Sequence, residues 1–144
     1  MISEMKSNEI RQVARLALQL FNESAEEELV DEFSKLLHNE NAKIFLCYDE
    51  ATLIGFAHCQ LRYDYVEGTF SSPVGYLEGI YISEEYRRRG YAKQLLDKCC
   101  EWARRMGCEE FASDCEVENV QSALFHKAMD FNEINRLICF TKKL

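Results

Sequence analysis

The residues best suited to chemistry form two groups. The first is Glu78 with Asp114. Glu78 interrupts the apolar run VGYLEGIYIS, residues 74–83, and a carboxylate inside such a run is costly unless it faces a cleft. At a cleft it can hold a cationic amine and accept its proton, directly or through water. Asp114 closes a short β-like stretch from Glu110 to Cys115; an aspartate there also reads as a turn or capping residue. The second group lies in EYRRRGYAKQLL, residues 85–96, where Arg87, Arg88 and Arg89 precede Gly90 in a chain of net charge −8. The pattern Arg87-x-x-Gly90-x-Ala92 opens a helical segment. A helix amino terminus exposes unpaired N–H groups and the positive end of the helix dipole, so a glycine-containing loop around it makes an anion cradle. It lacks the G-K-[ST] of a P-loop and is not G-x-G-x-x-G. A solvated helix start is the other reading of a triple arginine.

The elements that must position these residues follow from periodicity. Ser7 as N-cap and Ile10, Val13, Ala14, Ala17, Leu20 and Phe21 on one face predict a first helix. Leu29, Phe33, Leu36 and Leu37 form the stripe of a second, whose remaining surface carries Glu26, Glu27, Glu28, Asp31 and Glu32. That acidic run could draw in a polycation, and it equally reads as a solvated helix face. Lys43 to Tyr48 and Thr52 to Tyr63 read as a hairpin joined at Asp49 to Ala51, and the loop DYVEGTFSSP leads into the strand holding Glu78. Tyr91 to Met106 is an amphipathic helix with Leu95, Leu96, Cys99 and Trp102 inward. Glu110 to Cys115 predicts a short strand, Val120 to Met129 a helix, and Ile134 to Thr141 a last strand. This order predicts an α/β (α+β) fold with a central mixed sheet covered by helices on both faces.

Composition narrows the function. The 144 residues fit one domain, 1–144, and 47% hydrophobic with 29% charged residues is ordinary for a soluble globular chain. A pI near 5.0 and the lack of a broad basic face argue against nucleic acid. The opening MISEMKSNEI has no basic stretch followed by an apolar core, and no run approaches a membrane span, so a cytoplasmic protein without membrane contact is expected. The seven cysteines include no C-x-x-C pair and the three histidines are scattered, so reduced core thiols and no metal are expected.

Arg87-x-x-Gly90-x-Ala92, placed after a strand and before a long helix, resembles the pyrophosphate-binding motif (Q/R-x-x-G-x-G/A) of the GNAT superfamily of acetyl-coenzyme A dependent N-acetyltransferases. The element order agrees over essentially the whole chain. More narrowly, Tyr65-Val66-x-Gly68-Thr69, Ser72-Pro73-Val74-Gly75, Leu77-Glu78-Gly79-Ile80-Tyr81, Ser113-Asp114, Asn119 and Phe140-x-Lys142-Lys143 resemble the aminoglycoside 6'-N-acetyltransferases.

The resemblance implies a GNAT fold whose sheet is mostly antiparallel, with acetyl-coenzyme A as co-substrate. The pantetheine arm would pair with the strand edge at Ile80, Tyr81 and Ile82 like an added strand. The pyrophosphate would sit in the cradle of Arg87, Arg88, Arg89, Gly90, Tyr91, Ala92 and Lys93, with Asn119 as a further coenzyme contact. A main-chain N–H near Ile80 would stabilise the oxyanion that develops as the amine attacks. Glu78 and Asp114 would converge on a cationic amine, aminoglycoside by resemblance, with Tyr65 as a substrate contact. Where the family carries a groove tryptophan and a further acidic ligand, this chain has Phe21 and Asn135, and Asp130 stands where a glycine precedes the phenylalanine. Aspartate tolerates the positive φ such a turn needs. Phe125 and His126 occupy the region of the tyrosine that protonates the leaving thiolate in many members; His126 reads as a helical packing residue and is not counted as catalytic. A homodimer is expected. Phe21 and Asn135 also leave open another amine acceptor (a polyamine, a peptide amino terminus or a small metabolite), and a non-catalytic coenzyme A sensor is the alternative outside the enzymes.

Overall fold

A computed structural model describes residues 1–144. In chain order the elements are β1 (Ile2–Glu4), α1 (Ile10–Ala17), α2 (Glu26–Leu37), β2 (Ala42–Asp49), β3 (Thr52–Arg62), β4 (Val74–Ile82), α3 (Tyr91–Arg105), β5 (Phe111–Ser113) and α4 (Val120–Ala128). The five strands form one sheet in the order β1-β2-β3-β4-β5. Every neighbouring pair is antiparallel except β4 with β5, which run parallel.

The central strands are apolar on both sides because helices cover both faces of the sheet. In β2, Ile44 and Leu46 pack with Val13, Ala14 and Ala17 of α1 and Leu29 and Phe33 of α2. The alternate residues Phe45 and Cys47 join Leu95, Leu96, Cys99 and Trp102 of α3 on the opposite face. The predicted stripes of α2 and α3 therefore face the core as expected, and the mixed, mostly antiparallel sheet with helices on both faces matches the predicted fold class.

Two features of β4 govern the placement of Glu78. Its pairing with β3 shifts register at one point, His58 opposing Gly79 while Cys59 opposes Leu77, so Glu78 is the extra residue of a bulge. Bulges re-aim side chains and are concentrated beside active sites. On its other edge β4 pairs with β5 only at Gly75, Tyr76 and Leu77, so no strand covers the stretch from Glu78 to Ile82 on that side.

Three expectations are corrected. Helix α1 stops at Ala17 rather than reaching Phe21: Gln19 and Leu20 donate to Leu16 and Ala17 three residues back, tightening the chain into turns. Ser7 is not an N-cap; it lies in a 3-10 turn, where the Lys6 N–H donates to Glu9 Oε2 at 2.8 Å instead. The strand expected over Ile134 to Thr141 is absent, and residues 131–144 form no regular element. A strand-like sequence forms a strand only beside an edge to pair with, and no strand of this chain pairs with that segment. Its start is nevertheless anchored, with Ile134 packed on Gly68 and Asn135 Nδ2 donating to Glu67 Oε1 at 2.9 Å.

Candidate active site

Glu78 lies two residues past Tyr76, on the strand face shared with Arg62 at the end of β3. Arg62 Nε and Nη2 donate to Glu78 Oε1 at 2.9 and 2.8 Å, and Nη2 also donates to Oε2 at 2.9 Å. The same guanidinium lies 3.4 Å from the centroid of the Tyr76 ring. The Tyr76 hydroxyl donates a short hydrogen bond to Asp114 Oδ2. Burial, reinforced by Asp114, raises the Tyr76 pKa well above its ordinary value, so the phenol stays protonated as a donor. Glu78, Arg62, Tyr76 and Asp114 thus form one connected network. The last registered pair of β4 and β5 is Leu77 with Ser113, so Asp114 follows just past β5, where the Tyr76 hydroxyl reaches it.

Glu78 also lines a pocket between β3, β4, α2 and the turn after α1. Phe21, Phe33 and Phe56 supply apolar wall, while Glu32, His58 and Glu78 are its titratable groups. Phe21 therefore joins Glu78 because the tight turns after α1 carry it there. Glu32 is the member of the acidic run that reaches the pocket; Glu26 and Glu27 instead pair with Arg11, and Asp31 with Lys35. His58 shares a ring-nitrogen hydrogen bond with Gln60 Oε1 at 3.1 Å. Burial lowers the His58 pKa, opposed by Gln60 and by the charge of Glu78.

The loop before α3 is built for an anion by its backbone. Arg88 has φ 63° and Gly90 φ 85°, conformations that curl the chain around its own N–H groups. The N–H groups of Arg88, Arg89 and Gly90 meet no acceptor within the protein, and the first turn of α3 adds further unpaired donors. A Cβ built on Gly90 meets no atom within 4 Å, so the cradle is open on the glycine side. Arg87 is differently employed: its Nε donates to the Ile82 carbonyl at 2.8 Å, tying the loop to the end of β4. A pyrophosphate fits these free donors, which run from Arg88 towards Tyr91, Ala92 and Lys93, and the uncovered edge at Ile80, Tyr81 and Ile82 leads from them to Glu78.

The remaining predicted residues lie elsewhere. The Asn119 side chain caps α4 by accepting from the Ser122 N–H at 3.1 Å. Tyr65 is 78% exposed in the loop before β4, and Asn135 joins that loop through Glu67; neither lines the pocket. His126 is held on both sides, Nδ1 at 2.6 Å from the Ser122 carbonyl and Nε2 at 2.8 Å from Ser113 Oγ, consistent with a packing residue. Asp130 has φ 66°, the left-handed turn anticipated for it. Arg62, Tyr76 and His58 were not singled out in the sequence. Their only signal there is alternation in two strands, and the pairing of Arg62 with Glu78 across β3 and β4 is a tertiary feature.

Residues 10–131 match the Acetyltransferase (GNAT) family. The chain belongs to that family. Among its relatives, an aminoglycoside N(6')-acetyltransferase type 1 of Salmonella enteritidis is 34% identical over 99% of this chain and 98% of its own length. Its counterpart in Stenotrophomonas maltophilia is 40% identical over 80% of this chain and 76% of its own. A Serratia marcescens enzyme of the same name is 44% identical over 66% of this chain, an alignment spanning 65% of that protein. The solved structure of AAC(6')-Iy with the bisubstrate analog CoA-S-monomethyl-acetylneamine superposes with a TM-score of 0.95 at 33% identity, covering 100% of this chain and 98% of that one. This GNAT acetyltransferase therefore groups with the aminoglycoside N(6')-acetyltransferases.

Proposed function

We propose that this acetyltransferase, acting as one domain over residues 1–144, transfers an acetyl group to the 6'-amino group of aminoglycosides by direct attack in a ternary complex. The observation that carries this reading is the position of Glu78, at a bulge between the uncovered edge of β4 and a pocket with further acidic lining. Acetyl-coenzyme A supplies the activated thioester. Backbone donors from Arg88 to Lys93 hold its pyrophosphate, Ile80 to Ile82 pair with its arm, and Asn119 adds a contact. The N–H near Ile80 donates to the thioester oxygen as negative charge develops there. Glu78 captures the ammonium and takes its proton; the amine nitrogen bonds to the acetyl carbon and releases its second proton to water, the carbon–sulfur bond breaks, and the thiolate leaves to be protonated from solvent. Asp114 supports the same amine beside Glu78, and Phe21, Tyr65 and Asn135 border the acceptor. No cysteine is needed as nucleophile. Cys99 is held as a thiol by its hydrogen bond to Cys59 and by burial, and burial likewise raises Cys100.

The working form is a cytoplasmic homodimer that does not bind nucleic acid. Leu137, Ile138 and Phe140 are 66%, 81% and 87% exposed on a segment without a partner, while β5 ends the sheet with an open outer edge. A second copy can supply the pairing that each tail lacks.

The decisive assay is thiol release from acetyl-coenzyme A against kanamycin, tobramycin, an analogue with a hydroxyl in place of the 6'-amine, spermidine and short peptides. Acetylation of the 6'-amino drugs without the hydroxyl analogue is expected. Turnover confined to polyamines or peptides would move the acceptor to another amine, and tight coenzyme binding without any turnover would make the protein a sensor.

A further inference from the structure

The Glu78 carboxylate, to which the proposed function assigns the acceptor amine, already holds a cation. Arg62 makes three N–H···O contacts to it, of 2.9, 2.8 and 2.9 Å, engaging both oxygens. A carboxylate offers about four acceptor sites, so this leaves little room for the donors of an incoming ammonium. The pair is not deeply sealed: the Arg62 side chain is 41% exposed and that of Glu78 23% exposed. Arg62 also has a second resting place, since its guanidinium lies 3.4 Å from the centroid of the Tyr76 ring, whose hydroxyl is tied to Asp114. A guanidinium released from Glu78 keeps this cation–π contact and the nearby Asp114 charge.

We propose that Arg62 is a resident stand-in for the substrate's ammonium, which the acceptor amine must displace from Glu78 before acetyl transfer. Arg62 then sets amine affinity by competition. It selects for acceptors of high positive charge, because only a strongly attracted cation outcompetes a tethered guanidinium. It also keeps the carboxylate neutralised until such an acceptor arrives.

This inference rests on Glu78 being the acceptor's anchor. The test compares wild type with Arg62→Met, which keeps the aliphatic contact with Tyr76 and removes the charge, and with Arg62→Lys, which restores a cation. Acceptor KM, kcat and coenzyme affinity are measured with whichever amine of the panel the wild type turns over fastest, so that failure of the aminoglycoside assignment shows in the wild type and is separate from failure of this proposal. Arg62→Met is expected to lower the amine KM about fivefold, the scale of a partly exposed ion pair, with kcat changing much less and coenzyme affinity unchanged. Lysine should bring KM back towards the wild-type value, and the gain should be larger for acceptors with few amino groups than for those with many. An amine KM that is unchanged or raised in Arg62→Met, with coenzyme binding intact, would overturn the proposal and leave Arg62 as a support for Glu78. Loss of coenzyme affinity together with turnover would overturn it too, since the competing cation has no part in that half of the site.

Discussion

Glu78 combines a bulge, a guanidinium partner and a place at the pocket, and each bears on what its replacement should do. Glu78→Gln keeps shape and loses both the charge that holds an ammonium and the basicity that deprotonates it. We expect kcat to fall about 100-fold, the lower range for general acid–base catalysis, while calorimetry shows coenzyme affinity unchanged. Retention of full turnover would remove Glu78 from the mechanism. His58 bears on stability. Its folded pKa lies below the ordinary 6.5 because burial disfavours the charged ring. The unfolded chain therefore binds that proton more readily, so the contribution of neutral His58 is fully present above pH 6.5 and is lost as pH falls through the lower folded value. Thermal unfolding from about pH 7.5 down to about pH 5 should show the wild type losing stability more steeply than His58→Asn; parallel profiles would show that His58 contributes nothing to the slope.

Among the elements, the start of α3 carries the clearest prediction. Gly90 adopts φ 85° with open space where a side chain would project. An L-residue there costs about 1 kcal/mol of stability through backbone strain, and it does not disturb packing. Gly90→Ala and Gly90→Glu should therefore fold with similar midpoints, while only glutamate projects a negative charge into the cradle. Calorimetry should find coenzyme binding abolished in Gly90→Glu and weakened far less in Gly90→Ala. Equal affinity in the glutamate variant and the wild type would refute the cradle. This element was legible in the sequence, because arginines, a glycine and a small residue before an amphipathic run state a helix start locally. The three-residue β5 also emerged from pattern, but how far it covers β4, and hence where the edge opens, depended on pairing.

For the whole molecule, the segment after Glu133 is the test of assembly. A stretch with Leu137, Ile138 and Phe140 mostly in water is a poor end state for a chain acting alone. Sedimentation should show the full chain as a dimer, and removal of residues 134–144 should yield a folded monomer. A monomeric full-length protein would sink the dimer and leave the tail unexplained. The sequence by itself determined the elements whose signals are local: the stripes of α2 and α3, the β2–β3 hairpin, the glycine-led start of α3, and Glu78 as a carboxylate out of place among apolar neighbours. It misjudged the end of α1 and the last strand, since a turn competes with a helix and a strand needs an edge, and both contests are settled by contacts far along the chain. Only the tertiary structure decided that Arg62 holds Glu78, that Tyr76 links that pair to Asp114, and that Phe21, Glu32 and His58 meet Glu78 at one pocket. Those contacts join residues tens of positions apart across a sheet whose register turns on a single bulge, and no local pattern encodes where that bulge falls.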